Sequence, residues 1–133
     1  MKRYIFFVLA LYGAYYYYSR HFNFNRTLEY AQKNQKSMLA QPIRYYGGLA
    51  YYQSSQYPKA QEAFSQLLKD HPTGYYTMKA LFYLEDTAEL NRDWPAARQA
   101  LERYVEEFPD GKHAELMRKR LEILNYQHPG PVP

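Results

Sequence analysis

Two similar stretches decide the fold of this chain: YPKAQEAFSQLLKDHPTG at residues 57–74 and WPAARQALERYVEEFPDG at residues 94–111. The offset between them is 37 residues throughout. Similarity at a fixed spacing of this size indicates a stack of repeated supersecondary units. The identical pairs are Pro58/Pro95, Ala60/Ala97, Ala63/Ala100, Pro72/Pro109 and Gly74/Gly111.

Each copy has the pattern of one amphipathic helix. A proline at the second position suits the first helical turn, where its missing N–H costs no hydrogen bond. Apolar residues then recur three and four positions apart, until Pro72 or Pro109 ends the helix before a glycine turn. The small Ala60 and Ala97 allow a neighbouring helix to approach closely. In the second copy the apolar positions are Ala97, Ala100, Leu101, Tyr104, Val105 and Phe108.

A second helical pattern precedes each copy, with apolar faces over residues 43–51 and 80–88. The resulting helix pair resembles the tetratricopeptide repeat, a helix–turn–helix unit that stacks into a right-handed solenoid. The residues that carry the resemblance are Gly48, Tyr51, Ala60, Phe64 and Pro72 in the first copy, and Leu81, Leu84, Ala88, Ala97, Leu101 and Pro109 in the second.

The chain departs from the usual family pattern in three ways. Gly47 stands where the family usually has Leu, and Glu85 stands where it usually has Gly. The spacing is 37 residues rather than the commoner ~34. This longer spacing resembles bacterial envelope members, such as the Tol–Pal-associated and outer-membrane-assembly repeat proteins. We interpret Gly47-Gly48, in the middle of a helix, as a site of close helix packing.

The resemblance also implies a peptide-binding groove on the inner face of the first helix of each repeat. Aromatic rings with a few polar anchors suit such a groove, because large amphipathic side chains dominate protein interfaces. The preceding helix could instead fill this short surface, so both readings stay open. Carried over by position, the candidate partner-binding residues are Tyr45, Leu49, Tyr52, Gln53, Lys79, Phe82, Asp86 and Glu89.

Two helices and a tail complete the predicted all-α architecture. A connecting helix is predicted over roughly 27–40 (segment 25–40), from Leu28, Ala31, Gln35, Met38 and Leu39. Segment 41–127 forms the repeat domain, with repeats at about 41–74 and 78–111. A cap helix over 113–126 has Leu116, Leu121 and Leu124 on one face, and a solenoid end is closed by a polar outer face. That outer face is Arg118, Lys119, Arg120 and Glu122, and a Pro-rich tail follows at 128–133.

The N-terminal segment, 1–24, is predicted to be a single transmembrane anchor. No charged residue lies between Arg3 and Arg20, and the helical rise from Lys2 to Arg20 is about 27 Å, close to the ~30 Å of a hydrocarbon core. Tyr15, Tyr16, Tyr17 and Tyr18 would form the interfacial aromatic belt, with the bilayer contacted through residues 4–18. A short basic N-terminus favours a cytoplasmic start, which places the repeat domain in the bacterial periplasm as part of a single-pass inner-membrane protein.

Two alternatives to the anchor remain. A cleaved signal peptide would have a basic start and an apolar centre, but the small-residue exit is poor: Tyr12 precedes Ala14 by two positions. A buried core helix is the other alternative, for which four consecutive tyrosines are an unusual ending.

Composition argues against several functions. The basic excess flanks the N-terminal apolar stretch, and residues 29–133 carry 13 basic and 13 acidic side chains, so nucleic-acid binding is not expected. The absence of cysteine excludes disulfides and thiolate sites. No histidine pair has metal-ligand spacing, and no nucleotide or nucleophile motif occurs. We interpret the carboxylate pairs Glu85-Asp86 and Glu106-Glu107 as solvated, and predict no catalytic, metal or cofactor site.

The sequence therefore predicts a non-catalytic repeat protein whose partners are other protein subunits or peptide segments. It would act as a scaffold or accessory subunit of a larger membrane or envelope complex. The alternative is a transient peptide-binding adaptor or assembly factor of the bacterial envelope.

Overall fold

The computed structural model describes residues 2–21, 24–34, 36 and 38–131. This part of the chain is all-α. Residues 132 and 133 of the predicted Pro-rich tail, like Gln35 of the predicted connecting helix, lie outside the described residues. The helices are α1 Lys2–His21, α2 Phe24–Lys33, α3 Ala40–Gln53, α4 Tyr57–Asp70, α5 Thr77–Leu90, α6 Trp94–Glu107 and α7 Ala114–Gln127.

From α2 to α7, each helix packs against its neighbours in sequence. The helices predicted from the two repeated stretches are confirmed as α4 and α6, and each has its proline in the first turn. Ala60 and Ala97 are fully buried, as close helix contact requires. The largest apolar side chains that are fully buried are Phe64, Leu67, Leu81, Leu101, Tyr104 and Met117.

The turns inside the two helix pairs have the same backbone conformation. Ser55 and Arg92, 37 positions apart, both have positive φ, of 59° and 57°. The following residue in each turn donates its N–H back to the helix: Gln56 to the Tyr51 carbonyl and Asp93 to the Ala88 carbonyl, both at 2.8 Å. This is the Schellman arrangement, which usually has glycine at the left-handed position. Both turns therefore hold a side chain in a conformation that glycine adopts more easily.

Gly48 marks a close approach of α3 and α4. A Cβ atom at this position would come within 2.7 Å of Cε1 of Phe64, which is fully buried. The interpretation of this glycine as a packing residue is confirmed.

The connecting helix is shorter than the predicted range of 27–40, since α2 ends at Lys33. It packs on α3, where the buried Arg44 donates to the Ala31 carbonyl at 3.5 Å. The same guanidinium pairs with the Asp70 carboxylate of α4. Hydrogen bonds from Gln66 and Arg44 lower the pKa of Asp70, although burial of the carboxyl acts in the opposite direction. Arg44 thus joins α2, α3 and α4.

The chain after α7 is not simply extended. The His128 ring stacks on Trp94 with the centroids 3.9 Å apart. Arg98 donates to the His128 carbonyl, so the first residue of the predicted tail is attached to α6.

The transmembrane anchor predicted for residues 1–24 is wrong. Of the helices formed by the described residues, none has both the length and the apolar character that crossing a membrane requires. Six of the 20 residues of α1 are tyrosines, whose hydroxyl groups reduce the apolar character of the helix. Two predictions depended on this membrane span and are therefore unsupported: the interfacial belt of Tyr15 to Tyr18 and the single-pass placement in the inner membrane. The side chains from Arg3 to Arg20 are all exposed.

Candidate functional site

The first helices α3 and α5, with α7 beside them, present the surface that holds most of the predicted partner residues; we call it the first-helix face. At its centre, the Tyr52 hydroxyl donates to Asp86 Oδ2 at 2.6 Å. This hydrogen bond, together with burial of the ring, raises the pKa of Tyr52 to about 12. Tyr52 is therefore a neutral donor at physiological pH, and the contact fixes α3 against α5 across the face.

Tyr45 does not contribute to this face. It is 6% exposed, and its ring lies 5.0 Å from that of Tyr76 and 6.2 Å from that of Phe64. Burial, followed by the neighbouring Tyr83, raises the pKa of its hydroxyl to about 12. Tyr45 is a core residue, which corrects its assignment as a partner contact.

The other predicted residues lie at different places on the face. Gln53 is exposed at the C-terminal end of α3, and Leu49 is half-buried against the core. Phe82 stacks on His113 with the centroids 4.3 Å apart. Lys79 is turned towards Tyr75, with Nζ 3.2 Å from the hydroxyl, and this contact raises its pKa. Lys79 and Phe82 are thus partly occupied by contacts within the chain, whereas Gln53 is available.

Glu85 corrects the interpretation of Glu85-Asp86 as a solvated pair. It is fully buried in α5, with Oε2 2.5 Å from Nη1 of Arg120 in α7. Burial raises its pKa to about 7, and Arg120 only partly opposes this effect. Arg120 also lies 3.5 Å from Asp86. It was predicted on the polar outer face of the cap, but it turns inwards and attaches α7 to α5.

The helix α7 contributes apolar residues that sequence reasoning missed. Leu116, Ile123 and Tyr126 are exposed on α7, at positions 37 residues after Lys79, Asp86 and Glu89. The repeat spacing of 37 residues could have identified them from the sequence, because it places them on the same face as the predicted partner residues of α5. The sequence pattern predicted only a cap role for α7, with Leu116 in its apolar face.

A pocket of about 260 Å³ lies between α5 and α7, next to these residues. Glu89 belongs to it, and its carboxylate forms no hydrogen bond or close ion pair with the residues that the structure describes. Asp86, by contrast, is held by Tyr52 and Arg120. The pocket is lined by Asp86, Glu89, Leu90, Trp94, Ile123, Leu124 and Gln127.

The helix α2 makes its contacts on another side of α3. Its Asn25 accepts a hydrogen bond from the Tyr51 hydroxyl at 3.3 Å, and its Ala31 contacts Arg44. A second pocket, of about 280 Å³, is lined by residues of α2, α3 and α4 and contains none of the predicted partner residues. These contacts of α2 lie on the side of α3 that carries Arg44 and Tyr51.

Comparisons with known proteins agree with this helix arrangement. The family model described as tetratricopeptide repeat matches residues 44–74 and 75–111, about half of the chain. A relative in Caulobacter vibrioides, the outer membrane protein assembly factor BamD, is 31% identical over 91 residues. The aligned region covers 62% of this chain and 30% of that protein, so the chain spans less than a third of the relative.

Proposed function

Because the chain belongs to the tetratricopeptide repeat family, we propose that it is a non-catalytic protein-interaction scaffold in the bacterial envelope. In this role it is an accessory subunit of a larger complex, and the first-helix face receives a segment of a partner protein.

The observation that carries this proposal is the position of α2. The sequence left open whether the preceding helix fills the groove, but the contacts of α2 involve Tyr51 and Arg44, on another side of α3. Gln53 remains exposed, and Leu90 and Ile123 are 49% and 54% exposed. Exposed apolar side chains beside a polar rim are characteristic of protein interaction sites.

The second candidate function is a transient assembly factor of the envelope. The relative in Caulobacter vibrioides is named as an outer membrane protein assembly factor, which supports both the compartment and a role in assembly. A transient factor uses the same face, but it releases its partner.

Photo-crosslinking from the face tests the proposal in the cells that express the protein naturally. A benzoylphenylalanine placed at Gln53 is expected to crosslink to a partner protein, because this side chain is exposed at the edge of the face. The matched control carries the same group at Glu102, which is exposed on α6. Crosslinked products are identified by mass spectrometry.

The pattern of products separates the two candidates. Crosslinking of a single partner at position 53, in an amount comparable to that of the protein itself, supports the accessory subunit if the same partner is absent from the Glu102 control. Several partners in small amounts support the transient factor. Equal products from both positions, or none from Gln53, would contradict binding at the first-helix face.

A further inference from the structure

We propose that the pocket between α5 and α7 binds an apolar side chain of a partner whose neighbouring Lys or Arg pairs with Glu89. The inference rests on the proposed function, because it specifies the chemistry of the segment that the first-helix face receives. It concerns a part of that face which Gln53 does not line.

The apolar half of the pocket consists of Leu90, Trp94, Ile123 and Leu124. Leu90 and Ile123 are about half exposed, so each leaves apolar surface in water that a partner side chain can cover. Trp94 is held in place on one face by the stacked His128 ring. A rigid aromatic wall favours binding, because little side-chain freedom is lost when a partner docks against it.

The charged half of the pocket favours a partner segment with positive charge. Arg120 is committed to Glu85 and Asp86, and Asp86 also accepts the Tyr52 hydrogen bond. The Glu89 carboxylate makes no hydrogen bond or close ion pair with the described residues, and Arg120 acts on it only at longer range. A cation that reaches Glu89 gains a partner in a partly desolvated place, whereas an acidic segment meets like charge.

The whole chain does not attract cations in general. Its net charge is +4, so a basic peptide that binds must overcome the overall repulsion through local contacts. A segment with Leu, Ile or Phe within about four residues of Lys or Arg satisfies both halves of the pocket, since one turn of helix brings such residues onto one side.

The test uses the full chain and three fluorescent synthetic peptides of equal length. The first repeats Leu and Lys, the second replaces each Lys by Glu, and the third replaces each Leu by Ala. Fluorescence anisotropy is expected to show that the Leu–Lys peptide binds at least about tenfold more tightly than either of the others. Its affinity should fall as salt is added, because the Glu89 contact is electrostatic.

Substitutions in the chain locate the binding. Glu89→Gln and Ile123→Ala should each weaken binding of the Leu–Lys peptide about tenfold. The matched controls are Glu106→Gln and Met38→Ala, which change exposed side chains outside the first-helix face and should bind the peptide like the unmodified protein. Equal affinity for the three peptides, or equal losses in the control variants, would overturn the proposal. Gln53 crosslinks that persist in that case would show that the scaffold function stands and only the partner chemistry is wrong.

Discussion

Replacing Glu85 by Gln should stabilise the protein above neutral pH. The carboxyl is fully buried in α5, and its Oε1 atom has no hydrogen-bond partner among the described residues. Burial raises the pKa of Glu85 from its ordinary 4.5 to about 7, despite the Arg120 guanidinium beside Oε2. The folded protein therefore prefers the neutral form of this side chain.

The raised pKa makes stability fall as the pH rises. Below about pH 4.5, Glu85 is protonated in the folded and the unfolded chain, and it adds no pH dependence. Between that pH and about 7, the unfolded chain releases the proton while the folded chain keeps it, so the free energy of unfolding decreases. At about 1.4 kcal/mol per pKa unit, the loss reaches roughly 3 kcal/mol above pH 7.

The amide introduced by Glu85→Gln would resemble the protonated carboxyl, since it is neutral, similar in size and still able to accept from Arg120. The variant and the unmodified protein should thus have equal free energies of unfolding near pH 4. Near pH 8 the variant should be more stable by about 2–3 kcal/mol. For a chain of this length, that difference raises the melting temperature by roughly 10 °C.

Thermal melting followed by circular dichroism, from about pH 4 to pH 8, measures the effect. Other titrating groups are shared by both proteins, so they cancel in the difference between the two curves. Glu106→Gln, on the exposed side of α6, is the control and should leave the curve unchanged. A Glu85→Gln curve parallel to that of the unmodified protein across this range would refute the reasoning.

Three further substitutions test the packing and the turns. Ala97→Leu adds volume at a fully buried position and should lower the free energy of unfolding by about 1–3 kcal/mol in a denaturant titration. Gly48→Ala places a Cβ atom 2.7 Å from the Phe64 ring, and should destabilise by about 1–2 kcal/mol in thermal melting, after the better helix propensity of Ala is included. Arg92→Gly relieves an exposed left-handed residue and should stabilise by about 1 kcal/mol in the same melting experiment.

Each of these has a matched control. Gln99→Leu places the same side chain on the exposed side of α6, and Gly13→Ala places its methyl group where nothing lies within 4 Å. Arg92→Ala removes the same side chain but keeps the unfavourable φ. The packing explanation for Ala97 is contradicted if Gln99→Leu lowers stability as much as Ala97→Leu does. The explanation for Gly48 is contradicted if Gly48→Ala leaves stability unchanged. The explanation for Arg92 is contradicted if Arg92→Ala stabilises as much as Arg92→Gly.

Local pattern predicted the parts of the fold that depend on neighbours in sequence. The proline starts and the apolar spacing of α4 and α6 come from residues within one helix, and Gly48 showed by its lack of a side chain that a neighbour comes close. Glu85 was misread because its partner, Arg120, lies 35 positions away. Nothing in the residues around Glu85 indicates that distant guanidinium.

The candidate site was less predictable for the same reason. Tyr45 and Tyr52 occupy the same helix and have the same side chain, yet the rings around Tyr45 bury it while Tyr52 reaches Asp86. Only the packed structure distinguishes them. For α1, the length of the uncharged stretch suggested a span, but six tyrosines within it outweigh the apolar residues.

The packing of each helix on its neighbours in sequence has a consequence for the order of folding. Contacts between adjacent helices close only short loops, and chains rich in such contacts fold quickly. The Tyr52–Asp86 and Glu85–Arg120 contacts are different, because each joins two helices that are separated by an intervening helix. We expect them to form only after three successive helices have docked, so their removal should change the rate of unfolding more than the rate of folding.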